Sequence, residues 1–221
     1  MAYPTVSASY GLQPINLIGG QVFAGATRQM RIASGVTDAI YYGDLVKRES
    51  DGTIVRANAT TTAPVTGFIG VFLGCSYINT ATNQPVQAQY CPAGLTVTSG
   101  FITAYVADDP DQLFKVAVVA STGSTPATTS GAQYTSIGLN AAIVDNDGST
   151  VTGNSLDAVA LDSFAVTKSL PLRIVDVVPD TAFVSSGTTY YPEVIVKINA
   201  PFVDTGEVVK GGHNYNNPTG L

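Results

Sequence analysis

Short apolar and β-branched segments recur along the whole of this chain between turn signals, and none carries the sustained i, i+3, i+4, i+7 stripe of an amphipathic helix. That period leaves strands as the building element. Strands are expected at residues 28–33, 39–48, 53–57, 68–78, 86–90 and 95–98, and again at 101–107, 113–120, 137–144, 158–166, 172–178 and 193–199. The breaks between them carry turn chemistry. Asp51 and Gly52 suit the positive φ of a tight hairpin, Pro110 in the DDPD run of 108–111 falls where no ladder donor is needed, and the DNDG of 145–148 caps its own backbone. Within VIVKI, Lys197 should face outward and Ile198 inward, as in a sheet with one wet face. The expected fold class is all-β, an antiparallel β-barrel or sandwich with extended N- and C-terminal arms.

Two kinds of segment depart from the strand pattern. The Ser/Thr/Gly run of 121–136 has no periodic apolar residues, and it reads as a surface loop within one domain or a linker between two β halves. Residues 1–20 and 206–221 are rich in Gly and Pro, and they bracket an all-β domain at 21–205 as an N-terminal arm and a C-terminal tail. An arm that orders on a neighbour needs side chains whose contact energy offsets the ordering entropy. Tyr3, Tyr10, Pro14, Ile15, Leu17, Ile18, Phe202, His213 and Tyr215 are the candidate assembly-interface residues on that ground. The alternative is that both ends add edge strands to their own sheet.

Charge bears on the same question. Only 12% of the 221 residues are charged, against about 25% in ordinary globular chains, and the mean hydropathy is +0.22. Few charges are present to cover a free surface, and no apolar run approaches the roughly eighteen residues of a membrane span. Part of the apolar excess is therefore expected to be buried against other subunits. Net charge is −6, and the ten basic residues are scattered singly apart from Lys47/Arg48 and Arg28/Arg31. No basic stripe for a phosphate backbone results, so no nucleic-acid partner is expected. The opening MAYPTVSASYGLQP shows neither the basic nor the apolar region of a signal peptide, and synthesis in a cytoplasm is expected.

Two cysteines are too few for a disulfide framework. If 68–78 pairs with 86–91 about a turn at 79–84, Cys75 lies opposite Ala88 and Cys91 opposite Phe72. The sulfurs would then be on the order of 10 Å apart, too far for a disulfide, and two buried free thiols are expected.

A search for catalytic or ligand-binding constellations gives little. His213 is the sole histidine and sits in a Gly/Asn-rich tail, where a triad base could not be held in place. The nearest approach to a GxSxG elbow, GCSYI at 74–78, fails at its last position. Asp108, Asp109 and Asp111 share one turn, so they share a side of the fold instead of flanking a glycosidic bond. Asp145, Asp147 and Gly148 resemble the middle of an EF-hand loop, but the first and last ligand positions would be Ile143 and Asn154. Neighbouring tyrosines at 41/42 and 190/191 face opposite ways on a strand, so each pair offers at most one ring to a sugar. No enzyme activity, cofactor or metal is expected.

Several blocks of the sequence resemble phage structural proteins encoded beside the major capsid protein, best known in marine and cyanobacterial phages. They are YGLQPINLIGGQVFAGATRQMRIAS at 10–34, GDLVKRESDGTIV at 43–55, GVFLGCSYI at 70–78, ITAYVADDPDQLFKV at 102–116, LPLRIVDVV at 170–178 and VIVKIN at 194–199. Residues 43–70 also look like the small β-barrels of capsid decoration (cement) proteins of tailed bacteriophages. The resemblance implies a non-catalytic virion protein, made in the host cytoplasm, that binds the outer surface of the capsid shell and stabilises it. It further implies two partners, the major capsid protein and copies of the chain itself, as a trimer or a dimer. The long loop at 121–136 and the tail depart from the simplest decoration barrel. A receptor- or carbohydrate-binding β module of a phage tail or fibre is the other reading of the same features, and a polysaccharide-degrading domain using Asp109 is a third.

Overall fold

The computed structural model describes residues 8–57, 68–97, 100–121, 123, 134–167, 170–182 and 191–199. Among these, thirteen strands are joined by turns: β1 (Gln13–Leu17), β2 (Arg28–Ile32), β3 (Leu45–Arg48), β4 (Ile54–Arg56), β5 (Phe68–Ile78), β6 (Pro85–Ala88) and β7 (Ile102–Ala107). They continue as β8 (Gln112–Val119), β9 (Asn140–Ala141), β10 (Ile143–Val144), β11 (Ala158–Ala160), β12 (Leu172–Val177) and β13 (Glu193–Ile198). Helix is confined to two single 3₁₀ turns, Tyr134–Ser136 and Leu161–Ser163, and one short α-helix, α1 (Pro179–Ala182). No helix among the described residues is long and apolar enough to cross a membrane. The chain is all-β, with one nearly closed barrel-like sheet and a second, antiparallel sheet.

The barrel-like sheet runs β10-β11-β8-β13-β12-β9, with β1 added on β8. Its two ends meet because β9 and β10 are separated only by Ala142. Residues 140–144 act as one broken strand that pairs with β12 through β9 and with β11 through β10. A ring of five strands cannot have every neighbour antiparallel, and the odd pair is β11 with β8, which run parallel through Val159↔Val118 and Ala160↔Val119. At the break, Ser163 Oγ accepts from the Ala142 N–H at 2.8 Å and donates to the Ala160 carbonyl at 2.6 Å, satisfying groups the ladder drops.

The second sheet runs β2-β7-β5-β3-β4, with β6 on β5. β3 and β6 lie end to end along one side of β5, which is long enough at 11 residues to hold both. A register shift between Phe72 and Cys75 marks a bulge in β5. Gly74 occupies it with φ 138°, and a Cβ there would stand 3.0 Å from the Ala88 carbonyl oxygen.

One apolar cluster joins the sheets. Phe68 and Val71 of β5 with Leu45 of β3 pack against Phe114, Val116, Val118, Leu172, Ile174, Val194 and Val196 of the barrel. The other side of β5 sends Phe72 and Cys75 into a separate cluster with Ile32, Val46, Ile54, Ile102 and Val106. Burying one such Phe, Leu or Ile side chain stabilises the fold by about 1.5–3 kcal/mol.

Several expected strands are shorter than the sequence suggested. Of 39–48, only Leu45–Arg48 is a strand, because Asp44 Oδ2 accepts from the Tyr41 N–H at 2.7 Å and the Asp44 N–H returns to the Tyr41 carbonyl at 3.0 Å, making a turn. The expected 137–144 breaks at Ala142, and 158–166 stops at Ala160, where the 3₁₀ turn begins. Residues 95–97 form no strand; the Val97 N–H instead donates to Ser34 Oγ at 3.1 Å. Lys197 is also a correction: it is 9% exposed, since β13 is flanked on both sides by β12 and β8 and both its faces are largely covered.

Of the segment read as an N-terminal arm, residues 13–17 form β1 on the edge of β8, and Leu12 is fully buried. That is the edge-strand alternative. Most of the 121–136 run and the whole of 206–221 lie outside the described residues.

The cysteine geometry differs from the expectation in an instructive way. Cys75 does pair with Ala88. Cys91, however, leaves the hairpin to bridge Ile40 instead of facing Phe72, because β6 ends at Ala88 and the chain bends at 89–90. The two buried thiols donate to neighbouring carbonyls, Cys75 Sγ to Tyr90 at 3.6 Å and Cys91 Sγ to Pro92 at 3.9 Å, and both are free.

Candidate functional site

The densest concentration of chemistry is a buried charge cluster between the two sheets. Alternation along β4 turns Ile54 and Arg56 inward together, and Arg56 is 8% exposed. Three carboxylates from three different turns surround its guanidinium: Asp44 before β3, Asp145 after β10 and Asp157 before β11. Arg56 Nε lies 3.1 Å from Asp44 Oδ2, and Nη2 donates to Asp157 Oδ1 at 3.0 Å and to the Asn146 carbonyl at 2.5 Å and forms an ion pair with Asp145. Asp157 is further held by the Asn146 N–H at 3.0 Å, and its own N–H donates to Ser155 Oγ at 3.0 Å.

Burial decides the electrostatics here. It pushes the Asp44 carboxyl up to about 6, with the Arg56 charge offsetting part of the effect. Burial also raises Asp157 and Asp145, again against the pull of Arg56. Burial opposes the Arg56 charge as well, but Asp157, Asp44 and Asp145 outweigh it and keep the guanidinium protonated. The cation in this nest is thus supplied by the chain. Asp145, which the sequence placed in an EF-hand-like run, is engaged by Arg56, and no group of three or more metal-ligating side chains is placed to hold an ion among the described residues. The arrangement can hold two sheets together, with its three carboxylates gathered around one guanidinium.

A second polar contact ties the N-terminal segment down. The half-buried Tyr10 hydroxyl donates to Glu193 Oε1, which also lies 3.1 Å from Lys115 Nζ, and that ammonium stands 5.6 Å from the Tyr10 ring centroid. Burial, and then the Glu193 carboxylate, raise the Tyr10 hydroxyl well above its ordinary value.

The candidate interface residues divide accordingly. Tyr10, Pro14, Ile15 and Leu17 are half-buried against their own barrel, whereas Ile18 is 49% exposed. Residues 13–23 form a small hairpin in which Asn16 bridges Val22, the Leu17 N–H donates to the Gln21 carbonyl at 2.8 Å, and the Ile18 N–H donates to the Asp111 carbonyl at 2.9 Å. Val22, not singled out in the sequence, is 75% exposed on the same hairpin. Tyr3, Phe202, His213 and Tyr215 lie outside the described residues.

The remaining sequence candidates have local roles. Asp109 Oδ1 caps the Asp111 N–H at 2.8 Å, and Asp108 pairs with Arg28 at 2.8 Å. Tyr41 stacks on Tyr90 with ring centroids 5.4 Å apart and lies flat on Gly148, where a Cβ would come within 2.3 Å of the ring. Tyr41 and Tyr191 are both buried, which removes them as sugar platforms; Tyr42 is half-buried, and Tyr190 lies outside the described residues.

A groove of about 700 Å³ opens between the start of β2 and the β3–β4 hairpin. Met30, Ile54 and Ile69 supply its apolar lining, and Arg28, Arg31 and Arg48 bring three guanidinium groups to it. Arg31 lies 3.8 Å from the centroid of the Phe101 ring, which is 57% exposed. Sequence reading set Arg28/Arg31 and Lys47/Arg48 apart as two separate basic pairs; β2 and β3 are remote in the chain, and the folded sheet brings Arg28, Arg31 and Arg48 to one groove. Comparison of the chain with protein-family models, with curated proteins and with solved structures yields no match.

Proposed function

We propose that this chain is a structural protein of a tailed-phage head, binding the outer surface of the capsid shell and stabilising it by non-covalent cementing. The observation that carries the reading is the 13–23 hairpin, which holds Ile18 and Val22 exposed on a rigid β edge, within the longest of the blocks that resemble capsid-associated proteins. Such side chains supply contact energy at about 25 cal/mol per Å² of apolar area buried, reduced by the cost of association. A low charge content supports the same reading, because a chain with 12% charged residues has little else with which to cover its surface. The Arg56 cluster serves it too, since four of those charges are spent on fixing one sheet against the other.

Purified protein added to undecorated heads should bind and raise the temperature at which they rupture. Ile18→Asp and Val22→Asp should weaken binding by tenfold or more while leaving the melting temperature of the free protein within a few degrees. Absence of binding by the unaltered chain would remove the proposal.

A further inference from the structure

We propose that the groove between β2 and the β3–β4 hairpin is a docking site for an extended, acidic and apolar peptide segment, and that its occupant is residues 201–209 of a second copy of this chain. The inference rests on the reading of the chain as a homo-oligomeric structural protein. Three observations carry it.

The groove has unspent cationic capacity. Its own carboxylates are engaged, Asp108 by Arg28 and Asp51 by the Thr53 N–H at 2.9 Å and hydroxyl at 2.7 Å. Arg31 and Arg48 make no ion pair among the described residues, although the chain as a whole carries a net charge of −6. A guanidinium gains most from a carboxylate it can meet through two hydrogen bonds.

The groove is bounded by strands with backbone to spare. β2 and β4 are the two ends of the strand order, so each has one edge without a strand partner among the described residues. Extended peptides dock on such edges, taking affinity from the main chain and specificity from side-chain pockets.

The chain beyond β13 has the matching sequence. Residues 201–209 read PFVDTGEVV, in which Phe202 and Val208 share one side of an extended chain and suit the lining of Met30 and Ile69. Asp204 and Glu207 are three apart, and in an extended chain residues three apart point to opposite sides. One carboxylate is thereby offered to Arg31 and the other to Arg48. A second copy is the occupant because this chain carries both the groove and its complement, so head-to-tail exchange builds an assembly from one gene product.

Sedimentation velocity on the full chain tests this. The unaltered protein should self-associate, less strongly as salt is added. Arg31→Glu/Arg48→Glu and, separately, Asp204→Arg/Glu207→Arg should each weaken association by at least tenfold, with unchanged melting because the substituted arginines are exposed. Mixing the two variants should restore association, since the reversed groove of one meets the reversed segment of the other. Association of either variant at the unaltered strength overturns the proposal. So does failure of the mixture when one chain carrying all four changes behaves as the unaltered protein, which would place the segment in its own groove. Head binding is read separately: a chain that ignores heads yet passes the mixing test loses the proposed function and keeps this inference, and the reverse result does the opposite.

Discussion

Arg56 on β4 donates from Nη2 to Asp157 Oδ1 at 3.0 Å, joining residues 101 positions apart across the two sheets. The bond has little competition from water, since Asp157 is 3% and Arg56 8% exposed. Removing one partner of such a pair costs more than the pair contributes, because the other charge is left buried.

Arg56→Met should therefore destabilise the protein by about 3–5 kcal/mol at neutral pH, the range for breaking a buried ion pair from one side. Adding Asp157→Asn to it should recover part of that loss, because one stranded carboxylate is removed. Urea denaturation of the three proteins checks both statements; equal stability of Arg56→Met and the unaltered chain would deny the cluster its clamping role.

The same cluster sets a pH dependence. The Asp44 carboxyl is raised from its ordinary 3.8 to about 6, chiefly by burial, so the folded chain holds this proton more tightly than the unfolded one. Its contribution is fully present below pH 3.8 and is lost as the pH rises through about 6. Asp44→Asn mimics the protonated form and lacks this titration. The stability of the unaltered protein relative to Asp44→Asn should accordingly fall between pH 4 and pH 7, and a rise over that interval would contradict the burial argument.

Tyr10→Phe should cost about 1–3 kcal/mol, since it leaves Glu193 short of a buried donor. Hydrogen exchange should show faster exchange at β1 in this variant, because the Tyr10 to Glu193 contact fastens the segment just before it. Unchanged protection of the amides in Gln13–Leu17 would show that β1 is held by its ladder with β8 alone.

The strand pattern in the sequence was a sound guide to fold class, because alternation and turn chemistry are local. Phe68–Ile78, Ile102–Ala107 and Glu193–Ile198 appear within a residue or two of their expected limits. What escaped were features decided by partners remote in the chain. β1 has Pro14 at its second position and Gly19 and Gly20 just beyond it, so it looks like an arm until β8 is present to pair with it. Residues 39–44 have strand composition, yet the Asp44 carboxylate finds the Tyr41 N–H and makes a turn that also delivers the carboxylate to Arg56. The one available signal for that cluster was Arg56 itself, a charge at an inward position of an IVR strand. Its three acidic partners each looked like turn residues.

Thiol chemistry offers a further check. Cys75 and Cys91 are buried at 1% and 0% exposure, so an aromatic disulfide reagent should find almost no reactive thiol in the native protein and two per chain in denaturant. Rapid titration of both thiols without denaturant would show that the β5–β6 region opens far more readily than its packing implies.

The central claim is that this β scaffold is built to assemble on a capsid lattice. The most direct measurement is the number of copies bound per undecorated head as purified protein is titrated in. The account predicts saturation at a fixed ratio to the capsid subunits, with each bound unit a small oligomer of the chain. A monomer that leaves the heads bare at every concentration would contradict it.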